Sequence, residues 1–130
     1  MPRTSRESAA KVTDVGIVED RSDELDGYAV GFTTFRQEVD HAPLLKGLPD
    51  DRCQCPHWGY LFTGRLTVQY ADREEVVEAG DAYYMSPGHV PIIEAGSELL
   101  MFSPAEELKL TDEVLMRNVQ AMMGEAPTPG

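Results

Sequence analysis

The sequence predicts an all-β fold, and three observations carry that prediction. Strand-like runs recur at short spacing from residue 27 to residue 103, with glycine, proline and aspartate turn signals between them. Their spacing fits a barrel or sandwich rather than βαβ units. A helical period appears at the C-terminal end, where LTDEVLMRNVQAMMG puts Leu115, Val119 and Met122 on one face.

The elements follow in chain order. Residues 1–14, MPRTSRESAAKVTD, are polar and without apolar period, so they are expected to form a disordered arm. Residues 15–124 are expected to form one domain. Gly27 to Val39, GYAVGFTTFRQEV, reads as a strand, because Val30, Phe32 and Thr34 share a face at period two. His41 to Asp51 reads as a loop, broken by Pro43, Gly47 and Pro49. Strands are expected near 53–62, 65–71, 75–79, 82–86, 91–94 and 98–103, with hairpin turns at Gly64-Arg65 and Asp72-Arg73. Ser103-Pro104-Ala105-Glu106 fits a capping box with proline at the first helical position. Gly124 can end the short C-terminal helix, and residues 125–130 read as a flexible tail.

Composition narrows the function. A chain of 130 residues supports one core. The formal net charge of −12 repels phosphate backbones and anionic lipid, which argues against nucleic-acid and membrane partners. No apolar run approaches the roughly 18 residues that span a bilayer. The first residues carry no apolar leader, so a cytoplasmic location is expected. Two cysteines, Cys53 and Cys55, are too few for a disulfide framework. On a strand their Cα atoms sit about 6.6 Å apart, at the limit of disulfide geometry. Free thiols or metal ligands are the readings left in a reducing compartment.

The segment GDAYYMSPGHVP resembles the second motif of the cupins, usually G-x5-P-x-G-x2-H-x3-N. YLFTGRLTV resembles the end of their first motif, usually G-x5-H-x-H-x3,4-E-x6-G. The resemblance covers residues 45–104 and implies a jelly-roll β-barrel with a metal inside its mouth. The family's ligand positions are altered. Anchored on Gly64, the first motif puts its glutamate at His57 and its histidines at Asp51 and Cys53. Anchored on Gly47, those histidines fall on Cys53 and Cys55. In the second motif the histidine position holds Pro91 and the asparagine position Ala95, and His89 stands two residues early.

The residues also speak for themselves. Cys53, Cys55 and His57 share a strand parity. Fully extended, residues 53 and 57 lie about 13 Å apart, too far for one ion. Pro56 marks a bend that can bring them together, with His89 joining from a neighbouring strand. A thiolate–imidazole set favours zinc, then iron or copper. The competing reading is that the cysteines are apolar filling and the histidines hydrogen-bonded core residues. Asp51 is a candidate to orient His57. Ser86 and Ser103 lack a local base, and His41 reads as a solvated loop histidine. Trp58, Tyr60 and Phe62 form the face opposite His57 and need cover from the helix or from a second copy, so a homodimer is expected. Tyr83 and Tyr84 occupy opposite faces, so one of them is expected to line the cavity. Tyr60 joins a ligand platform if its face turns inward.

Three functions follow. The first is a metal-binding cupin acting on a small organic molecule by isomerase-, cyclase- or oxygenase-type chemistry. The second is a non-catalytic small-molecule-binding or sensor barrel without metal. The third is a thiol redox role for Cys53 and Cys55.

Overall fold

The computed structural model describes residues 2–122. Strands β1 (Lys11–Asp14), β2 (Val18–Leu25), β3 (Tyr28–Phe35), β4 (Val39–Asp40), β5 (His57–Thr63), β6 (Arg65–Gln69), β7 (Glu74–Glu78), β8 (Ala82–Met85), β9 (Val90–Ile93) and β10 (Glu98–Pro104) precede helix α1 (Ala105–Met122). They form a six-stranded sheet, β1-β2-β3-β10-β5-β8, and a four-stranded sheet, β4-β9-β6-β7. Every pairing is antiparallel. The expected barrel is realised as two sheets rather than one continuous ladder, and the helix stands where its period places it.

The core lies between the inner faces of the two sheets. Leu61, Leu66, Leu99, Val68 and Met85 are each at most 2% exposed. Burying a leucine side chain fully contributes roughly 1.5–3 kcal/mol, so this row dominates the apolar stabilisation. The six predicted strands from residue 53 onward have counterparts, except that β5 begins at His57 rather than at residue 53. Asp72-Arg73 turns a true hairpin, with Tyr70 N–H donating to Arg73 O at 2.8 Å. Gly64 does not. It links β5 to β6, which lie in different sheets, so it is a corner. Its φ of 88° and the Ser97 side chain against it leave no room for a Cβ.

The N-terminal part differs from expectation. Lys11–Asp14, placed in the disordered arm by sequence, pairs with β2. Strand β2, VEDRSDEL, has no apolar alternation to announce it. Its register places Val18, Asp20, Ser22 and Glu24 on the face of Phe35, Thr33, Gly31 and Ala29. Asp20 is satisfied there by the Thr33 hydroxyl, which donates to it at 2.9 Å. Polar atoms replaced the hydrophobic signal.

Helix α1 packs Leu115 and Val119 against the main core, as the period implies. Met122 is 63% exposed and does not join them. The Asn118 amide donates to Leu44 O (2.7 Å) and Lys46 O (2.9 Å), fastening the helix to the short 3₁₀ turn at Ala42–Leu45. Ser103 and Pro104 belong to β10 rather than to a helix cap. Gly124 and residues 125–130 lie outside the described residues.

Candidate metal centre

Three backbone bonds tie Cys53 to the strand entry at His89. Cys53 N–H donates to His89 O (3.0 Å), while His89 N–H (3.3 Å) and Gly88 N–H (2.8 Å) donate to Cys53 O. The chain then bends through Cys55 and Pro56 and enters β5 at His57. Proline lacks the N–H a ladder needs, so the bend falls there. The result brings Cys53 Sγ to 3.5 Å from His57 Nε2. The His57 and His89 rings meet edge to face with centroids 4.9 Å apart.

Cys53, His57 and His89 each offer a donor atom, and the three atoms lie within 4.8 Å of one another. All three residues are buried, at 4%, 5% and 1% exposure. Both rings are held from behind. His89 Nδ1–H donates to Ser86 O at 2.7 Å, which fixes its tautomer and leaves a lone pair on Nε2. His57 Nδ1 meets Ser103 Oγ at 2.6 Å. Cys55 does not join the group. Its Sγ turns back to Pro56 O at 3.6 Å, and it packs with Leu45 and Val90.

Burial sets the charge state. The His57 pKa is pushed down to about 3 by burial, then by the neighbouring His89 and His41. Burial lowers His89 too, against the pull of Ser86 O. The Cys53 thiol is pushed up to about 11 by burial, which outweighs its bonds to Cys55 O and Thr111. Cys55 rises to about 12, by burial and then by the nearby Cys53, Glu107 and Asp112. At neutral pH the cluster is therefore a thiol and two neutral imidazoles.

No known family profile and no curated protein matches the sequence. Solved structures do match. A Rhizobium leguminosarum bv. viciae 3841 protein of unknown function aligns at TM-score 0.56 and 17% identity, covering 79% of this chain and 95% of its own. An RmlC-like cupin from Shewanella frigidimarina aligns at 0.53 and 17%, covering 78% and 88%. The polyketide cyclase RemF from Streptomyces resistomycificus aligns at 0.54 and 16%, covering 80% and 79%.

The chain has the cupin fold. Within this fold the Cys53, His57 and His89 donors are buried in the interior. Their chemistry fits a metal of the zinc type. Two imidazoles arrive neutral with a donor nitrogen close to the thiol, and that thiol has a proton to release. Magnesium or calcium would ask for oxygen donors, which the trio lacks.

Other sequence candidates fall elsewhere. Tyr83 is buried on the centre's side of the sheet, opposite Gly59, and its hydroxyl donates to Leu100 O at 3.1 Å. Tyr84 and Tyr60, 49% and 39% exposed, lie on the outer face with Trp58 and Phe62. Asp51 does not orient His57. Its carboxylate accepts Gly47 N–H at 3.1 Å, and Ser103 has the orienting place. Ser103 was legible only as a possible cap. The missed signal was its period-two alignment with buried Leu99 on β10. His41 is not solvated. It is half-buried, and burial pushes its pKa down to about 4. Thr111, the buried residue of α1, contacts Cys53, and Leu108 packs against the cysteines, so the helix covers the centre from one side.

Proposed function

We propose that this chain is a metal-dependent cupin acting on a small organic molecule. The observation that carries the reading is the buried convergence of Cys53 Sγ, His57 and His89 within 4.8 Å. Cys53, His57 and His89 hold the ion, with zinc preferred and iron or copper next. A divalent ion there supplies Lewis-acid polarisation or activation of water or dioxygen. Ser103 and Ser86 keep the two rings aimed, and the three donors are buried.

A groove of about 900 Å³, lined in part by Arg52 and Val90, chain neighbours of Cys53 and His89, sets Lys46 and Arg73 against Asp50, Asp51 and Glu74. Its cations and carboxylates balance, so it suits a small polar molecule. Isomerase-, cyclase- and oxygenase-type chemistry all agree with the site, and the likeness to RemF supports the cyclase member of that set. Tyr83 serves as a wall of the interior. Tyr60 and Tyr84 contribute to ligand binding only if a ligand docks on the outer face.

A second reading has an observation of its own. The donors are at most 5% exposed and lie under α1, which favours a binding or sensor barrel in which His57 is a hydrogen-bonded core residue and no metal is held. Elemental analysis of protein purified without a chelating column separates the two. The metal reading expects zinc, iron or copper near a single ion per chain, and lower content in Cys53→Ser. Metal far below that level, with no uptake on adding zinc or iron, sinks it.

Two further parts complete the proposal. The outer face of the six-stranded sheet exposes Trp58, Tyr60, Phe62 and Tyr84, so we assign it to a homodimer contact. Light scattering on Trp58→Glu tests this, with a shift from dimer to monomer expected. The two reduced, buried thiols and the net charge of −12 suit a cytoplasmic protein with a small-molecule partner rather than nucleic acid. Among the described residues no helix is long and apolar enough to cross a membrane.

A further inference from the structure

The third histidine of the chain is built like the other two. His41 follows β4, where Val39 pairs with Ile93 and both are buried. Asp40 is exposed, while the His41 ring turns onto the buried Phe35. Its backbone N–H donates to Pro91 O at 3.0 Å, which extends the β4–β9 ladder by one residue and sets His41 opposite Pro91. His89 lies two residues from Pro91 along the same segment. The diagonal across such a pair is about 7–8 Å between Cα atoms, a span that long side chains reach across.

The ring is held as ligating rings are held. His41 Nδ1–H donates to Pro91 O at 3.1 Å, and the ring packs edge to face on Phe35 at 6.2 Å. A carbonyl cannot donate, so Nδ1 carries the proton and Nε2 the lone pair. The three histidines thus share one arrangement, with Nδ1 engaged by Pro91 O, Ser103 Oγ or Ser86 O. Metal-binding histidines show this pattern, because the rear bond fixes the tautomer and aims the ring. His41 stands outside the group of three whose donor atoms fall within 4.8 Å of one another. It is close enough for its charge to bear on both His57 and His89.

We propose that His41 is the fourth protein ligand of the centre, giving one thiolate and three imidazoles around a zinc-type cation. This rests on the reading of Cys53, His57 and His89 as a metal site. Four protein donors match the tetrahedral preference of zinc. A small molecule then reaches the ion by enlarging its coordination or by displacing His41, the more exposed of the three rings.

The test uses the full-length chain with ¹⁵N-labelled histidine, titrated with zinc chloride. The chain has three histidines, so each ring nitrogen is assignable by two-dimensional NMR. All three Nε2 resonances are expected to move to metal-bound positions at a single zinc per chain. Movement of His57 and His89 with His41 unchanged overturns the inference and leaves the metal centre standing. No movement in any ring overturns the metal centre itself. His41→Asn supplies a second readout, because its amide can still donate to Pro91 O while Nε2 is gone. Its zinc Kd is expected to weaken by at least the roughly 10–100-fold that follows loss of an outer-sphere partner. A zinc Kd equal to that of the parent chain overturns the inference as well.

Discussion

Replacing Ser103 by alanine tests how the centre is held in shape. Ser103 is 1% exposed, and its Oγ lies 2.6 Å from His57 Nδ1. The substitution leaves a ring nitrogen without a partner inside a buried site. That costs about 1–3 kcal/mol of folding stability. It also frees the ring and its tautomer, and loss of such a partner weakens metal affinity by roughly 10–100-fold. The two effects separate in urea unfolding with and without zinc. At zinc 100 times the parent Kd, the parent chain gains about 2.7 kcal/mol. At the same zinc, a Kd weakened tenfold leaves about 1.4 kcal/mol, and one weakened a hundredfold about 0.4 kcal/mol. Ser103→Thr keeps the hydroxyl and is expected to restore most of the zinc response. The reasoning fails if Ser103→Ala folds and is stabilised by zinc as much as the parent.

Three other outcomes follow from the same geometry. Leu61→Ala, at a position with 0% exposure in the central core, is expected to cost about 2–5 kcal/mol in urea unfolding, and a loss below 1 kcal/mol would contradict the packing described. Burial lowers the pKa of His57 to about 3 and of half-buried His41 to about 4, against about 6.5 in the unfolded chain, so the unfolded chain binds more protons between those values. Stability is then full above pH 6.5 and falls as the solution is acidified towards pH 4, with a shallower fall in His57→Gln; a urea midpoint that stays level from pH 7 to pH 4.5 would refute this. Asn118→Ala removes both amide bonds that fasten α1. Cysteine modification by a small disulfide reagent should then run several-fold faster, and an unchanged rate would mean that α1 is not the cover.

The fold was legible because its signals are local. Turn glycines and alternating apolar residues from β5 to β10 mark strands whatever lies beside them. Strand β2 escaped because Asp20 and Ser22 take half-buried places, and only tertiary partners such as Thr33 make that tolerable. Gly64 read as a hairpin because a tight turn and a corner between sheets ask for the same positive φ. At the centre, the Pro56 bend could be read from proline chemistry, and with it the approach of Cys53 to His57. Cys55 shares the parity of Cys53 in sequence, yet the bend falls between Cys55 and His57 and turns it aside. The partners of the rings were not legible. Ser103 and Pro91 reach their histidines from strands 46 and 50 residues away, and no local pattern reports such a contact.

The central claim is that Cys53 and His57 bind one divalent cation together, and cobalt titration tests it most directly. Thiolate bound to cobalt gives a sulfur-to-metal charge-transfer band that no other donor here can produce. The band is expected to rise to a plateau at a single cobalt per chain, to vanish in Cys53→Ser, and to survive in Cys55→Ser. A parent chain that takes up cobalt without the band, or that takes up none, contradicts the account.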